Sequence, residues 1–307
     1  MNSGFLKKFR WLESGVSRHS LDRPSFLRRS KECRDTPPFI LTILFLNLFV
    51  PFAFGGSKIF NPPVPMVVAV PVANVRAKPI PHSGKYENDP LQETQVEKGE
   101  PVLVYEKNGN WYRIEAPEQQ EFTHHSNWEG YPGWVEAGAL TKDLSQHHRL
   151  KLLDLPENDL RKKIMDEASL HLGSPYLWGG RSLHDPKNNK VATGVDCSGL
   201  INWSFRQVGR FIPRDAHEQY LRARPVEPIQ LKPADLIFLA DEKNPQKIIH
   251  VALFAGGDEI IEAPQSGEKV RKISGLEKFG KQISLFKNGE NVGGKVIYFG
   301  TFLTEGQ

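Results

Sequence analysis

The chain has 307 residues, 39% hydrophobic and 25% charged, a globular composition that excludes wholesale disorder, a collagen-like repeat and a polytopic membrane protein. The formal net charge of +4 is confined to the start: residues 1–36 hold nine Lys/Arg against four Asp/Glu, and the remainder is near neutral. A basic face for nucleic acid is therefore not expected.

Residues 39–54 follow as sixteen uncharged positions rich in Leu, Ile and Phe. The run is longer than a signal-peptide core of about 7–15 residues and shorter than a spanning helix of about 20. Basic residues precede it and small residues, Ala53-Phe54-Gly55-Gly56, follow it. It reads as a cleaved signal, an uncleaved membrane anchor or a buried core helix; the first two put the rest of the chain outside the cytoplasm. Residues 1–56 are assigned to this leader, and the protein to the periplasm or cell envelope. Of the two cysteines, Cys33 lies in the leader, so the exported portion carries a lone thiol, Cys197, and no intrachain disulfide. In an oxidising compartment such a thiol is either buried or used.

Residues 57–65, rich in proline, read as a linker. Residues 66–143 carry short β-prone runs at 66–72, 75–77, 102–105, 111–115 and 133–135, which predict a small barrel. Asn108-Gly109-Asn110 marks a hairpin, and the polar stretch 119–127 a long loop. Residues 144–156 form a second linker. From residue 157 the texture becomes α+β, with helices first and antiparallel strands after. Apolar residues at Leu160, Ile164, Ala168 and Leu172 predict a helix over 159–172.

Asp196 is a helix-capping residue type, so Cys197 falls at the first position of a helix that runs to about Val208 and stops at Gly209. Leu200, Ile201, Ser204, Phe205 and Val208 share its buried stripe. A thiol among unpaired N–H groups at a helix N-terminus is stabilised as thiolate, and the same N–H groups can hold an oxyanion. Further on, residues 248–254 and 259–263 read as paired strands. A three-residue loop, Ala255-Gly256-Gly257, puts His250 directly opposite Glu262, where the carboxylate orients the imidazole. Taken alone, the pair also reads as a cross-strand ion pair facing solvent.

These segments carry a resemblance. Pro175-Tyr176-Leu177-Trp178-Gly179-Gly180, Gly194-Val195-Asp196-Cys197-Ser198-Gly199-Leu200, Ile212-Pro213-Arg214-Asp215-Ala216-His217-Glu218-Gln219, Leu231-Lys232-Pro233-Ala234-Asp235-Leu236, His250-Val251 and Glu262-Ala263-Pro264 together resemble the NlpC-type, papain-like cysteine peptidases that hydrolyse peptidoglycan. The match is nearest to the γ-D-glutamyl-L-diamino-acid endopeptidases, which carry bacterial SH3-like barrels before the catalytic domain. The resemblance implies an SH3-like β-barrel over 66–143 and a papain-like catalytic domain over 157–307. It implies Cys197 as nucleophile, His250 as base and Glu262 as third member, with Tyr176 near the oxyanion. Asp196, Ser198, Arg214 and Asp215 fall at substrate-contact positions, Asp215 receiving the free amine of an N-terminal L-Ala, with Tyr131 from the barrel closing that end. One position departs: the family's third residue is most often His, sometimes Asn or Gln, and here it is Glu262.

The implied reaction is cleavage of the bond between γ-D-glutamate and a diamino acid, diaminopimelate, in wall stem peptides through a thioester on Cys197. A non-catalytic wall-binding module of the same fold and an acyltransferase using the same thioester are the alternatives. No cofactor or metal is expected: the adjacent pairs His124-His125 and His147-His148 lack the spacing of a ligand set, and no glycine-rich phosphate loop appears.

Overall fold

A computed structural model of the protein describes residues 57–82, 89–123, 126–188 and 190–303. The leader, with its hydrophobic run at 39–54 and Cys33, lies outside the described residues, as do His124 and His125.

Seven strands form the first sheet: β1 (Lys58–Val68), β2 (Val72–Arg76), β3 (Gln92–Glu97), β4 (Pro101–Asn108), β5 (Trp111–Phe122), β6 (Trp128–Glu136) and β7 (Leu140–Thr141). Their order is β3-β2-β6-β5-β4-β1-β7. Val75, Val96, Val102, Val104, Ile114, Tyr131 and Val135 point to one side and make its core. Asn108 pairs with Trp111 across the expected tight turn, where Gly109 sits at φ +55°, the left-handed conformation such a turn requires.

Three expectations are corrected here. Residues 58–65 are strand rather than linker: Lys58 and Ile59 pair with Lys107 and Glu106, and pairing resumes at Val64 opposite Val104. Pro62 and Pro63, which have no N–H for a ladder, sit in the register shift between the two stretches. The polar stretch expected as a loop instead lengthens a hairpin, with Gln120, Glu121 and Phe122 pairing with Gly130, Glu129 and Trp128. Its polarity serves a polar interior: Gln119 is fully buried, accepting from Thr94 Oγ1 at 2.7 Å and donating to Gln95 O at 2.9 Å. Finally, the ladder does not close among the described residues; β3 and β7 stand at its two ends, so the sheet is open where a barrel was expected.

The second part is α+β. The helices are α1 (Glu157–Ser169), α2 (Cys197–Arg206), α3 (Ala216–Arg222) and α4 (Gly275–Phe279). The strands are β8 (Arg224–Pro225), β9 (Leu236–Asp241), β10 (Asn244–Gly256), β11 (Glu259–Glu262), β12 (Arg271–Ser274), β13 (Glu290–Val292) and β14 (Lys295–Thr301). The antiparallel sheet runs β12-β11-β10-β9-β14-β13, with β8 on β14. Leu160, Ile164 and Ala168 pack into the main core as their spacing predicts. Leu172 is 43% exposed, because α1 stops at Ser169 before the pattern reaches it.

The two sheets fall within one compact unit, joined along β3, at Glu100 just after it and at Glu118 on β5. Trp178 Nε1 donates to Gln92 O at 3.2 Å, and Gln95 Nε2 to Ala192 O at 2.7 Å. Arg181 Nη1 meets Glu100 Oε1 at 2.7 Å with neither side chain more than 1% exposed. Arg206 Nε meets Glu118 Oε2 at 2.9 Å, and Trp203 Nε1 donates to Glu97. Consequently α2 is buried on every side, from Ser198 to Arg206: the expected apolar stripe faces the core, while Trp203 and Arg206 face the first sheet.

Candidate active site

Asp196 caps α2, its Oδ1 accepting from Gly199 N–H at 2.6 Å, and Cys197 is the first helical residue. Gly199 presses on the Gly179-Gly180 turn; a Cβ there would come within 2.1 Å of Gly180 O. Gly179 N–H in turn donates to Asp196 Oδ2 at 2.9 Å, so the two motifs interlock. Arg214, fully buried, completes the clamp. Its Nη1 and Nη2 donate to Asp196 Oδ1 and Oδ2 at 3.0 and 2.8 Å. Nη1 also reaches Ser198 Oγ at 2.9 Å, and Nε reaches Thr94 Oγ1, on β3, at 2.7 Å. Ser198 Oγ donates to Asp196 Oδ1 at 3.2 Å. The polar atoms of Asp196, Ser198 and Arg214 are therefore spent on fixing the start of the cysteine helix.

Cys197 packs against the core that holds Val251 on β10, one residue along from His250, with the backbone N–H groups of Val251 and Ser198 near its thiol. The helix terminus was expected to lower the thiol pKa. Burial, followed by the Asp196 carboxylate, outweighs those two N–H groups and Arg214 and pushes it up to about 12. Cys197 therefore rests as the thiol.

His250 Nε2 lies 2.9 Å from Glu262 Oε2. A carboxylate only accepts, so Nε2 carries the proton and Nδ1 keeps the lone pair. The register behind this contact differs from the expected one. Leu253 pairs with Ile261 and Phe254 with Ile260, the strands turn at Gly257-Asp258 between Gly256 and Glu259, and Ala255 is bulged. Glu262 thus stands opposite Ala252, not His250, and reaches the imidazole along the diagonal. The slip is two residues, which keeps Glu262 on the same face.

Glu262 is fully buried and takes two cations besides. Arg271 Nε and Nη2 donate to Oε1 at 3.1 and 2.9 Å, and Lys278 Nζ to Oε2 at 2.6 Å. Burial raises its pKa, but His250 and Lys278 outweigh burial and hold it down at about 2. Burial lowers the His250 pKa below 6.5; Glu262 opposes this, and Lys278 and Lys295 add to it.

Residues 173–286, which contain the cysteine helix, the clamp and the hairpin, match the NlpC/P60 family. They are an NlpC/P60 domain. The chain is 27% identical over 239 residues to the γ-D-glutamyl-L-lysine dipeptidyl-peptidase of Bacillus subtilis, covering 61% of this chain and 77% of that protein. It is 37% identical over 121 residues to the peptidoglycan endopeptidase RipB of Mycobacterium tuberculosis, covering 38% of this chain and 48% of that protein. The chain thus spans about half the length of RipB. In fold it is similar to the crystal structure of an NlpC/P60 family protein from Bacillus cereus, with a TM-score of 0.56 at 21% identity, covering 68% of this chain and 94% of that one.

Within the NlpC/P60 domain, Tyr176 packs against the core beside Cys197. Burial, then the Asp196 charge, raise its hydroxyl pKa, so it remains a donor. Tyr131 comes from β6 of the first sheet, and its Oη donates to Asp215 Oδ2 at 3.0 Å. Asp215 precedes α3, with Oδ1 3.7 Å from Arg214 Nη1 and its side chain 43% exposed. Partial burial, then Asp196 and Glu218, push its pKa up to about 6 against Arg214 and Tyr131. Glu121 stands close by, raised to about 7 by burial and by Asp215, Glu218, Glu93 and Glu129. The structure thus groups Tyr176, Asp196, Cys197, Ser198 and Arg214 at one helix terminus, His250 and Glu262 on the hairpin, and Tyr131 with Asp215.

Sequence reasoning missed Thr94, Arg271 and Lys278. Thr94 lies in a polar strand with no motif, and Lys278 is ordinary for the last turn of a surface helix. Arg271 does pair directly with Glu262 across β11 and β12, but no turn signal marked that hairpin. Among the described residues no group of three His, Cys, Asp or Glu is placed to hold a metal ion.

Proposed function

We propose that this protein is a cysteine peptidase that cleaves the γ-D-glutamyl to diamino-acid bond of peptidoglycan stem peptides bearing a free N-terminal L-Ala. The observation that carries this reading is Cys197 at the head of α2 against Val251, with the adjacent His250 held by Glu262 at 2.9 Å.

In this reading His250 Nδ1 takes the thiol proton as Sγ attacks the γ-glutamyl carbonyl. Because thiol and imidazole both rest neutral, the ion pair forms with the attack rather than before it. Backbone N–H groups at the start of α2 and the Tyr176 hydroxyl face the oxyanion. The imidazolium then gives its proton to the amine of the departing diamino acid, leaving a thioester between Cys197 and L-Ala-γ-D-Glu. Water, deprotonated by Nδ1, hydrolyses the thioester and frees the thiol.

Asp215 and Tyr131 bind the L-Ala ammonium, while Asp196, Ser198 and Arg214 position the helix. The first sheet, residues 66–143 with β1 before it, acts as an SH3-like module built into the cleft: Thr94 holds Arg214 and Tyr131 holds Asp215. Residues 157–307 act as the catalytic domain. The leader directs export, and the relatives' named activities on peptidoglycan peptides support a site of action in the envelope. The test is mass analysis of L-Ala-γ-D-Glu-diaminopimelate after incubation with the protein. Release of L-Ala-γ-D-Glu and free diaminopimelate supports the reading. Intact peptide that nevertheless binds the protein would move it to a wall-binding module.

A further inference from the structure

A carboxylate behind a catalytic imidazole carries a cost. Unneutralised, it stabilises the imidazolium, and a histidine already protonated near neutral pH has no lone pair for a thiol proton. Glu262 is ionised and fully buried against His250, so this cost should be large here. The structure offsets it locally. Lys278 from α4 sits on the same oxygen that His250 uses, Oε2, at 2.6 Å, with only 16% of its side chain exposed. Arg271 from β12 takes the other oxygen through two donors and is itself tied to Glu268 at 2.9 Å. Two acids, Glu262 and Glu268, thus face two bases, Arg271 and Lys278, and the cluster is electrically balanced. Lys295 on β14 also repels a proton at His250, and Cys197, at the head of α2, rests neutral.

We infer that Lys278 and Arg271 are positioning residues for His250: acting through Glu262, they cancel the carboxylate's charge and leave its geometry. Glu262 then orients the ring as an amide would, and His250 stays an unprotonated base. Lys278 acts most strongly because it shares Oε2 with the imidazole and is sheltered from solvent; Arg271, 41% exposed at its side chain and shared with Glu268, acts less. The inference rests on the cysteine-peptidase reading, because a base is needed only where the thiol must be deprotonated.

The experiment has two readouts on the full chain. The first is the pH dependence of kcat/KM on L-Ala-γ-D-Glu-diaminopimelate for wild type, Lys278→Met, Lys278→Arg and Arg271→Met. The second is the titration of the His250 ring signal by NMR in Cys197→Ala protein, with and without Lys278→Met, which needs no activity. Removing Lys278 should move the acidic limb, and the His250 titration, to higher pH by about one unit. Lys278→Arg should restore both, and Arg271→Met should give a smaller shift in the same direction. A His250 titration and limb that stay in place in folded Lys278→Met protein would overturn the inference. Were Lys278→Met to unfold, Arg271→Met alone would decide by the same criterion. Absence of peptide cleavage by wild type, with the NMR shift present, would refute the peptidase reading and leave the charge balance standing.

Discussion

Arg214 grips Asp196 through two parallel hydrogen bonds, Nη1 to Oδ1 at 3.0 Å and Nη2 to Oδ2 at 2.8 Å, inside a fully enclosed site. Asp196 is also the cap of the cysteine helix, so the position of Cys197 depends on an arginine seventeen residues further along the chain. Arg214→Met should leave Asp196 buried and unpaired and cost about 3–5 kcal/mol of stability. Arg214→Lys should recover little, because an ammonium cannot bridge both oxygens. Thr94→Val removes one partner of Arg214 Nε and should cost about 1–2 kcal/mol. Chemical denaturation of the three variants checks the ranking.

The first sheet is expected to be indispensable to the second. Arg181 and Arg206 belong to the NlpC/P60 domain and, among the described residues, find buried acids across the junction, at Glu100 and Glu118. Glu100→Gln should therefore destabilise the whole chain by about 3–5 kcal/mol. A fragment starting at residue 144 should fail to fold, as read by circular dichroism. A fragment that folded as stably as the full chain would mean that the junction is dispensable.

His171 makes stability pH-dependent. It is fully enclosed, stacked edge-on against Trp203 with centroids 4.5 Å apart, and among the described residues neither ring nitrogen has a hydrogen-bond partner. Burial lowers its pKa from 6.5 to about 4. The unfolded chain thus takes up the proton first as pH falls. This contribution is fully present above pH 6.5, declines as pH drops, and has been lost below about pH 4, a change on the order of 3 kcal/mol. Thermal midpoints of His171→Leu against pH should show a flatter acid side than wild type.

Asp215 sets the pH dependence of substrate recognition in the proposed reaction. Its carboxyl, raised to about 6, must be ionised to pair with an ammonium, so kcat/KM for a free-amine peptide should fall as pH drops through 6. Asp215→Asn should remove that step, leaving only the acidic limb set by His250, and lower kcat/KM by about tenfold to a hundredfold. N-acetylated peptide should be cleaved poorly by both proteins. Equal rates on blocked and free peptide would assign Asp215 a structural role only.

Some of these contacts are written in local sequence and others are not. The cap at Asp196 and the start of α2 at Cys197 were legible because capping is local chemistry. The partnership of His250 and Glu262 was legible as a shared face, yet not as a register, because the bulge at Ala255 combined with the turn at Gly257-Asp258 slides the strands by two. Pairing across 81 positions, as between Arg181 and Glu100, leaves no periodic trace. The same holds for the full burial of α2: the apolar stripe accounts for one side, and the first sheet covers Trp203 and Arg206 on another. The lowered thiol pKa was misjudged for a related reason: the helix terminus was visible, but the desolvation around it was not.

The most direct test traps the covalent intermediate. The protein is mixed with L-Ala-γ-D-Glu-diaminopimelate, quenched in acid within the first turnover, digested, and mapped by mass. The account predicts an L-Ala-γ-D-Glu acyl group on the peptide containing Cys197, absent in Cys197→Ala protein, which should also release no diaminopimelate. Turnover that persists in Cys197→Ala, with no acyl group at this residue in wild type, would contradict it.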